Sequence, residues 1–365
     1  VTVDKVYLVG FMAAGKTTLA RALGRRLGWR VEDVDDRIEA REGRPVASIF
    51  ARDGEAYFRQ VERAVLLDLL PIRDAVVATG GGMRPAAPRI NRRACGSTDR
   101  ASPPKGSSNR SSRQWTRDVR YLVLSDIHGN LEALEAVLAD AAARGYDAAL
   151  VLGDLVGYGA DPNAVIDCIR ALSPLAVIRG NHDKVASGIE DAEGFNAVAR
   201  SAVQWTYEAL SPEHREYIAT LAPGPQFIGE QIEICHGTPF DEDAYVFDEL
   251  DALRAIESAT RPICLFGHTH LPIVFIRSGD GLDLAGADGE ATAHVALATT
   301  ARYLVNPGSV GQPRDGDPRA AYAILDMAAR VVELYRITYP VETAQFKIRE
   351  AGLPEVLARR LGVGR

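Results

Sequence analysis

Three features of this sequence predict an α/β fold class. Short apolar runs alternate with stretches of helical spacing along most of the chain. Several of those runs end on a carboxylate, an amide or an imidazole, as strands do in open α/β sheets whose sites lie at their carboxyl ends. Five of the seven histidines fall in four short blocks: Asp126-Ile-His128-Gly-Asn130, Gly-Asn181-His182-Asp183, Cys235-His236-Gly-Thr and Gly-His268-Thr-His270.

Composition narrows the function classes. The 365 residues suffice for two domains, and 47% apolar with 25% charged residues is the mix of an ordinary globular protein. A net charge of −7 gives no bulk attraction to nucleic acid, so no nucleic-acid partner is expected. No apolar run reaches the length of a membrane span, and the first residues lack the basic-then-apolar pattern of a signal peptide. Cys95, Cys168, Cys235 and Cys264 show no paired spacing, and the last two sit in apolar runs as small buried hydrophobes. A cytoplasmic, reducing location without a membrane partner is the expectation.

Taken in order, the elements divide the chain into three zones. Residues 1–83 alternate strand and helix patterns from position 3 onward. They open with Val6-Tyr-Leu-Val-Gly10-Phe-Met-Ala-Ala-Gly15-Lys16-Thr17, a complete P-loop pattern between an apolar strand and a helix. Its amides suit a phosphate chain, Lys16 the outer phosphates and Thr17 a Mg²⁺ ion, so ATP with Mg²⁺ is compatible with this loop. Residues 84–118 are rich in Arg, Ser and Pro with almost no aliphatic content, and read as a disordered linker.

Regular patterns resume over 119–365. Tyr121-Leu-Val-Leu reads as a buried strand delivering Asp126. Asn130 suits a helix N-cap, followed by Leu131, Leu134 and Leu138 at helical spacing. Ala148-Ala-Leu-Val-Leu is a second strand ending at Asp154, Pro162 opens a helix, and Leu175-Ala-Val-Ile leads to Asn181 and His182. A helical cap is expected over 193–221, then strands over 227–235, 262–266, 271–277, 294–299 and 320–336. From Val341, Phe346, Ile348, Leu353, Val356, Leu357 and Leu361 recur at helical spacing; a dimer contact there is compatible with the pattern but unsupported.

The histidine blocks and Asp154 supply carboxylate, imidazole and amide oxygen, the donor mix that suits divalent first-row metals. Two such ions close together activate water for phosphoester hydrolysis. His214 and His294 lie outside every block and read as ordinary structural or surface residues. Tyr158 suits either substrate approach or packing.

In residues and order, these blocks resemble the calcineurin-like metallophosphoesterase superfamily. Asn306-Pro-Gly-Ser-Val-Gly-Gln-Pro-Arg-Asp-Gly-Asp-Pro-Arg is similar to its bacterial phosphodiesterase branch. The resemblance implies a four-layer α-β-β-α sandwich preceded by the partial P-loop α/β segment. It also implies one metal on Asp126, His128 and His270, a second on Asn181, His236 and His268, and Asp154 bridging both. Mn²⁺ is the first expectation, with Fe, Zn, Ni or Mg compatible, and a hydroxide shared by the ions as nucleophile. It places His182 toward the leaving group as a catalytic residue, with Asp183 orienting it.

Protein-phosphatase and dinucleotide-tetraphosphatase members carry Asp-Arg-Gly where this chain has Gly157-Tyr158-Gly159, and Glu where it has Asp183. A phosphodiesterase or small-phosphoester hydrolase is therefore the expected enzyme, its natural substrate unidentified. A protein-binding scaffold that has lost its metals is the alternative from another class, and it requires degraded ligands that are not seen.

Asp33-Val-Asp35, Phe58-Arg59 and Gly80-Gly81-Gly82 make the first segment resemble the front half of a shikimate kinase. That resemblance implies nucleotide binding by Gly10, Gly15, Lys16 and Thr17, and Mg²⁺ binding by Thr17 and Asp33. Asp35, Arg59, Gly80, Gly81 and Gly82 would hold shikimate. It stops near Met83, before the lid arginine and the adenine-contacting part, so an inactive fragment is expected rather than the alternative, a shikimate kinase. A natural fusion fits the junction; so does a deletion or frameshift, which the abrupt loss of pattern after Gly82 slightly favours.

Overall fold

The computed structural model describes residues 5–8, 16–69, 72–78, 118–279, 281–286 and 289–365. The chain separates into two units, Val1–Pro104 and Lys105–Arg365. All of the expected linker except Asp118 lies outside the described residues.

The first unit contains β1 (Lys5–Leu8), α1 (Lys16–Leu27), β2 (Arg30–Asp33), α2 (Val34–Glu42), α3 (Val46–Leu69) and β3 (Ala75–Ala78). Its strands are parallel in the order β1-β3-β2. β3 is apolar on both faces: Ala75 and Val77 pack against Ile38, Phe58 and Val65, whereas Val76 and Ala78 join Ala20. A strand covered on both sides reads as a continuous apolar run, which Ala-Val-Val-Ala is. Among the described residues β1 pairs with β3 alone, so it forms one edge of this sheet.

The second unit opens with β4 (Arg120–Leu124), α4 (Leu131–Arg144), β5 (Ala148–Val151), α5 (Pro162–Leu172), β6 (Ala176–Val177) and α6 (Asn181–Ser187). Asn130 caps α4 by accepting the Ala133 N–H at 3.1 Å, and Ala133, Leu134, Val137 and Ala141 form its buried stripe. Pro162 occupies the first turn of α5, where its missing N–H costs nothing. Next come α7 (Ala197–Ala209), α8 (Pro212–Ala219), β7 (Gln226–Ile228), β8 (Ile232–Ile234), α9 (Glu249–Ser258), β9 (Ile263–Leu265), β10 (Pro272–Ser278) and β11 (Gly281–Gly286). The chain ends with β12 (Thr292–Ala296), β13 (Arg302–Pro307), β14 (Ala320–Asp326), β15 (Val331–Ile337), α10 (Val341–Glu350) and α11 (Glu355–Leu361).

Two six-stranded mixed sheets result, ordered β12-β15-β14-β4-β5-β6 and β11-β10-β13-β9-β8-β7. Period-two alternation shows how they stack. Tyr121 and Val123 of β4 face Ile263 and Leu265 of β9 in the core between the sheets. Leu122 and Leu124 point the other way, into a core with Leu134, Val165, Ile348 and Leu357. Cys264 and Phe266 face Ala252 and Ile256 of α9. Helix, sheet, sheet and helix therefore form the expected four layers.

The second half differs from expectation in detail. The run 227–235 is a hairpin, broken at Gly229, which adopts a φ of 62°. The run 320–336 is two strands turning through Met327–Arg330. The 193–221 stretch is two helices, divided where Ser211 caps α8 and Pro212 enters it. β11 and β13 have no counterpart among the expected strands: Gly281-Leu-Asp-Leu-Ala-Gly is poor in β-branched residues and reads as a loop.

Candidate metal centre

Every predicted metal ligand lies just beyond the carboxyl end of a strand or at the start of the element that follows. Asp126 and His128 follow β4, Asp154 follows β5, Asn181 opens α6 after β6, His236 follows β8, and His268 and His270 follow β9. The two sheets thus bring their strand ends to one place. The backbone there is unusual: Asp126, His128, Asp154, His268 and His270 have φ values of 53°, 51°, 53°, 67° and 61°. Left-handed backbone costs a non-glycine residue about 1–3 kcal/mol and persists where its surroundings enforce it. Asp and His are among the residue types that tolerate it best. Here the enforcement is backbone pairing: the His128 N–H donates to Asp154 O at 2.9 Å, and the Asp126 N–H to Gly153 O at 3.1 Å.

Two donor groups form. Asp126, His128, Asp154 and His270 offer ligand atoms within 4.8 Å of one another, and so do Asp154, His236 and His268. Asp154 belongs to both. Its Oδ2 lies 3.4 Å from His236 Nε2 and 3.6 Å from His128 Nε2. His270 Nε2 is 3.2 Å from Asp126 Oδ1, and Asn181 Oδ1 is 3.3 Å from His236 Nε2. All of these ligands except Asn181 are almost fully buried.

Hydrogen bonds behind the ligands fix which nitrogen faces inward. Nδ1–H of His128, His236 and His270 donates to the carbonyls of Val156, Leu152 and Gln312 at 3.2, 2.8 and 2.6 Å. Each Nε2 is left as an acceptor aimed at the centre. His268 is reversed, its Nε2–H donating to Asp243 O at 3.1 Å, which leaves Nδ1. His128 Nε2 and His270 Nε2 then stand 3.1 Å apart, an approach that a shared proton or a metal ion would satisfy. A buried set of acceptors with two carboxylates fits divalent metal ions, and only positive charge satisfies it.

The electrostatics of the bare site agree. Burial opposes charge on His236, yet the Asp154 carboxylate pushes that imidazole up to about 10. Burial also opposes ionisation of Asp126, but His270 and His236 hold its carboxyl below the usual range. His128 is held well below its ordinary value by burial. His268 falls to about 3, through burial and then the charge of His236.

His182 and Asp183 part company. The His182 ring lies 4.3 Å from Tyr158, 4.7 Å from Phe195 and 4.9 Å from His128, centroid to centroid. Burial and then Arg314 bring it down to about 4, and its buried Nδ1 has no hydrogen-bond partner. Asp183 does not supply one, which corrects the expected orienting role. Its carboxylate instead accepts the amides of Leu155, Val156 and Gly180 at 2.9, 3.3 and 3.0 Å, tying the Asp154 loop to the start of α6. Burial, then the nearby Asp154, push Asp183 up to about 7.

Tyr245, stacked on His268 at 3.7 Å, and the Asp243 carbonyl were not visible in the sequence, because Asp243-Ala-Tyr245 shows neither periodicity nor motif. His214 is a buried structural residue bonded to Asn163 and Asp167 at 2.8 and 2.9 Å, and the His294 side chain is 60% exposed. Cys235 and Cys264 are buried thiols with sulfurs 3.6 Å apart.

In the first unit the picture is partial. Gly10, Gly15, Gly80, Gly81 and Gly82 lie outside the described residues, as do the side chains of Lys16, Thr17 and Arg59. Lys16 and Thr17 open α1, and Arg59 lies on α3. Asp33 caps α2, its Oδ1 accepting the Asp35 N–H at 3.0 Å.

Comparison with known proteins follows the same division. Residues 119–330 match the calcineurin-like phosphoesterase superfamily domain, and residues 12–97 match the shikimate kinase family. An uncharacterized protein of Methanocaldococcus jannaschii is 37% identical over 248 residues, 67% of this chain and 97% of its own length. A metallophosphoesterase structure from Sphaerobacter thermophilus superposes with a TM-score of 0.60 at 37% identity, covering 68% of this chain and 100% of that one. The shikimate kinase of Moorella thermoacetica is 51% identical over 77 residues, 21% of this chain and 44% of that enzyme. The chain spans about half the length of the shikimate kinases it matches, so its kinase-like part is only a fragment. Two clusters sharing one aspartate are the equipment of a dinuclear phosphoesterase mechanism. With an N-terminal shikimate-kinase-like segment attached, this chain belongs to the calcineurin-like phosphoesterase superfamily.

Proposed function

We propose that the chain hydrolyses a phosphodiester or a small phosphoester with two divalent metal ions. Asp126, His128 and His270 would hold one, Asn181, His236 and His268 the other, and Asp154 both. One observation carries this reading: Asp154 belongs to both donor groups. When bound, two such ions supply Lewis acidity and lower the pKa of water. The protein's own residues do the rest. His182, held by rings on three sides and by its backbone N–H donating to Asp154 Oδ1 at 2.9 Å, would pass a proton to the leaving oxygen. Asp183 holds the two ligand loops in register. Mn²⁺ is proposed as the working metal.

We assign residues 1–83 to a kinase-like appendage, 84–118 to a tether and 119–365 to the hydrolase. The two reduced, buried thiols support a cytoplasmic location. No helix among the described residues is long and apolar enough to cross a membrane. Purified protein supplied with Mn²⁺ is expected to hydrolyse bis(p-nitrophenyl) phosphate. Absence of turnover across several metals, with occupancy verified, would refute the proposal.

A further inference from the structure

The loop between β13 and β14 lies flush against the metal centre. Val310 and Gly311 donate their N–H groups to the carbonyls of Ser125 and Asp126, both at 3.0 Å, and Ser309 Oγ donates to Asp126 O at 2.7 Å. A Cβ at Gly311 would sit 1.7 Å from Ile127 O, so only glycine allows this approach. The next residue, Gln312, orients His270 through its carbonyl. Two positions on stands the half-buried Arg314.

Arg314 is uncommitted. The acidic neighbours it might have paired with are taken, Asp315 by Arg336 and Asp317 by Arg319. Among the described residues it forms no ion pair; its partners are the Tyr245 side chain and, weakly at 3.5 Å, Gln312 Oε1. Tyr245 in turn stacks on His268. Lys184, the other cation at the rim, is bound by Glu190, Glu242 and Asp243 at 3.1, 3.3 and 2.6 Å. Tyr158 forms the other wall, 4.7 Å from His128.

We propose that Arg314 binds the non-bridging phosphoryl oxygens of the substrate, and that the substrate class is a singly charged phosphodiester with an uncharged leaving group. The guanidinium fork matches two phosphoryl oxygens in one plane, and an arginine held without a carboxylate partner has its donors free for them. The cavity beyond His182, about 280 Å³, sets the second half of the statement. Tyr158, Phe195 and Tyr245 line it and suit an aromatic or aliphatic group, while Asp191, which no cation pairs among the described residues, repels further phosphates.

This inference rests on the hydrolase reading, and its test keeps the two apart. Wild type, Arg314→Gln and Arg314→Lys are compared, each loaded with Mn²⁺, for metal content, binding of inorganic phosphate by calorimetry, and hydrolysis of bis(p-nitrophenyl) phosphate. Arg314→Gln is expected to keep its metal and to bind phosphate about 10- to 100-fold more weakly, with KM raised more than kcat is lowered. Arg314→Lys should recover part of the binding, since it keeps the charge without the fork. Equal phosphate binding by wild type and Arg314→Gln would overturn the proposal, as would loss of metal from the variant. A wild type that binds phosphate through Arg314 yet turns nothing over would sink the hydrolase reading instead.

Discussion

Adding one methyl group at Gly180 should separate the two metal sites from their shared ligand. Gly180 has extended backbone angles, φ −105° and ψ −179°, that any residue can adopt, so Gly180→Ala carries no conformational cost. The cost is steric. The new Cβ would lie 2.1 Å from Asp154 Oδ1, 2.7 Å from its Cγ and 2.6 Å from its backbone N. Ordinary contact begins at 3.4 Å, so the carboxylate oxygen must move by about 1.3 Å. Rotating the carboxylate does not suffice, because the backbone nitrogen is also too close. Metal–ligand distances tolerate only roughly 0.2 Å. Displacing the group that orients a ligand weakens metal binding about 10- to 100-fold, or about 1.4–2.8 kcal/mol. The assay is Mn²⁺ titration of metal-free protein, with metal content measured after dialysis. Gly281→Ala serves as control, since its Cβ would meet only Ser278 O, at 3.5 Å. A Gly180→Ala protein that retains two ions at wild-type affinity would refute a bridging role for Asp154.

Three further outcomes follow from the same geometry. His182→Ala should keep its metals, because the bond to Asp154 comes from the backbone N–H, while kcat falls by about 10²- to 10⁴-fold; a smaller loss is expected for p-nitrophenyl esters than for alkyl esters, and equal losses would argue against proton donation. Burial and the Asp140 carboxylate, 2.5 Å from the hydroxyl, raise the Tyr322 phenol above its ordinary range. Neutral Tyr322 therefore contributes stability that is fully present below pH about 10 and is lost as pH rises above it. Tyr322→Phe should flatten the fall in denaturant midpoint between mildly and strongly alkaline buffer. Tyr339, which burial lifts to about 12, leaves a residual slope, and identical curves for the two proteins would count against this account. Incubation with ATP, Mg²⁺ and shikimate should yield no shikimate-dependent ADP in a coupled assay; sustained production would show that the kinase-like fragment is active.

Much of the second unit could be read directly from the sequence, because its central strands are buried on both faces. Tyr121–Leu124 and Ala148–Val151 need apolar residues at every position, and that demand leaves a plain mark. Asp126 and Asp154 stand out in the sequence for the same reason, since each comes just after one of these runs. Edge strands carry less information: β11 has one face uncovered, tolerates Gly281 and Asp283, and so resembled a loop. The family resemblance implies that Asp183 orients the His182 ring, which the local sequence neither supports nor contradicts. At the start of a helix the carboxylate reaches free backbone amides instead. Tyr245 arrives from a segment distant in sequence with no local signal, and the motif that holds Arg314 does not say where its side chain lies relative to the centre. The left-handed backbone at five ligands is likewise a product of the assembled strand ends, not of their composition.

The central claim is that two cations share Asp154. Crystals of protein loaded with Mn²⁺, measured at the manganese absorption edge, test it most directly. Two anomalous peaks are expected, each within bonding distance of the Asp154 carboxylate, one beside His128 and His270 and the other beside His236 and His268. A single peak, or peaks that leave Asp154 without a metal bond, would contradict the account.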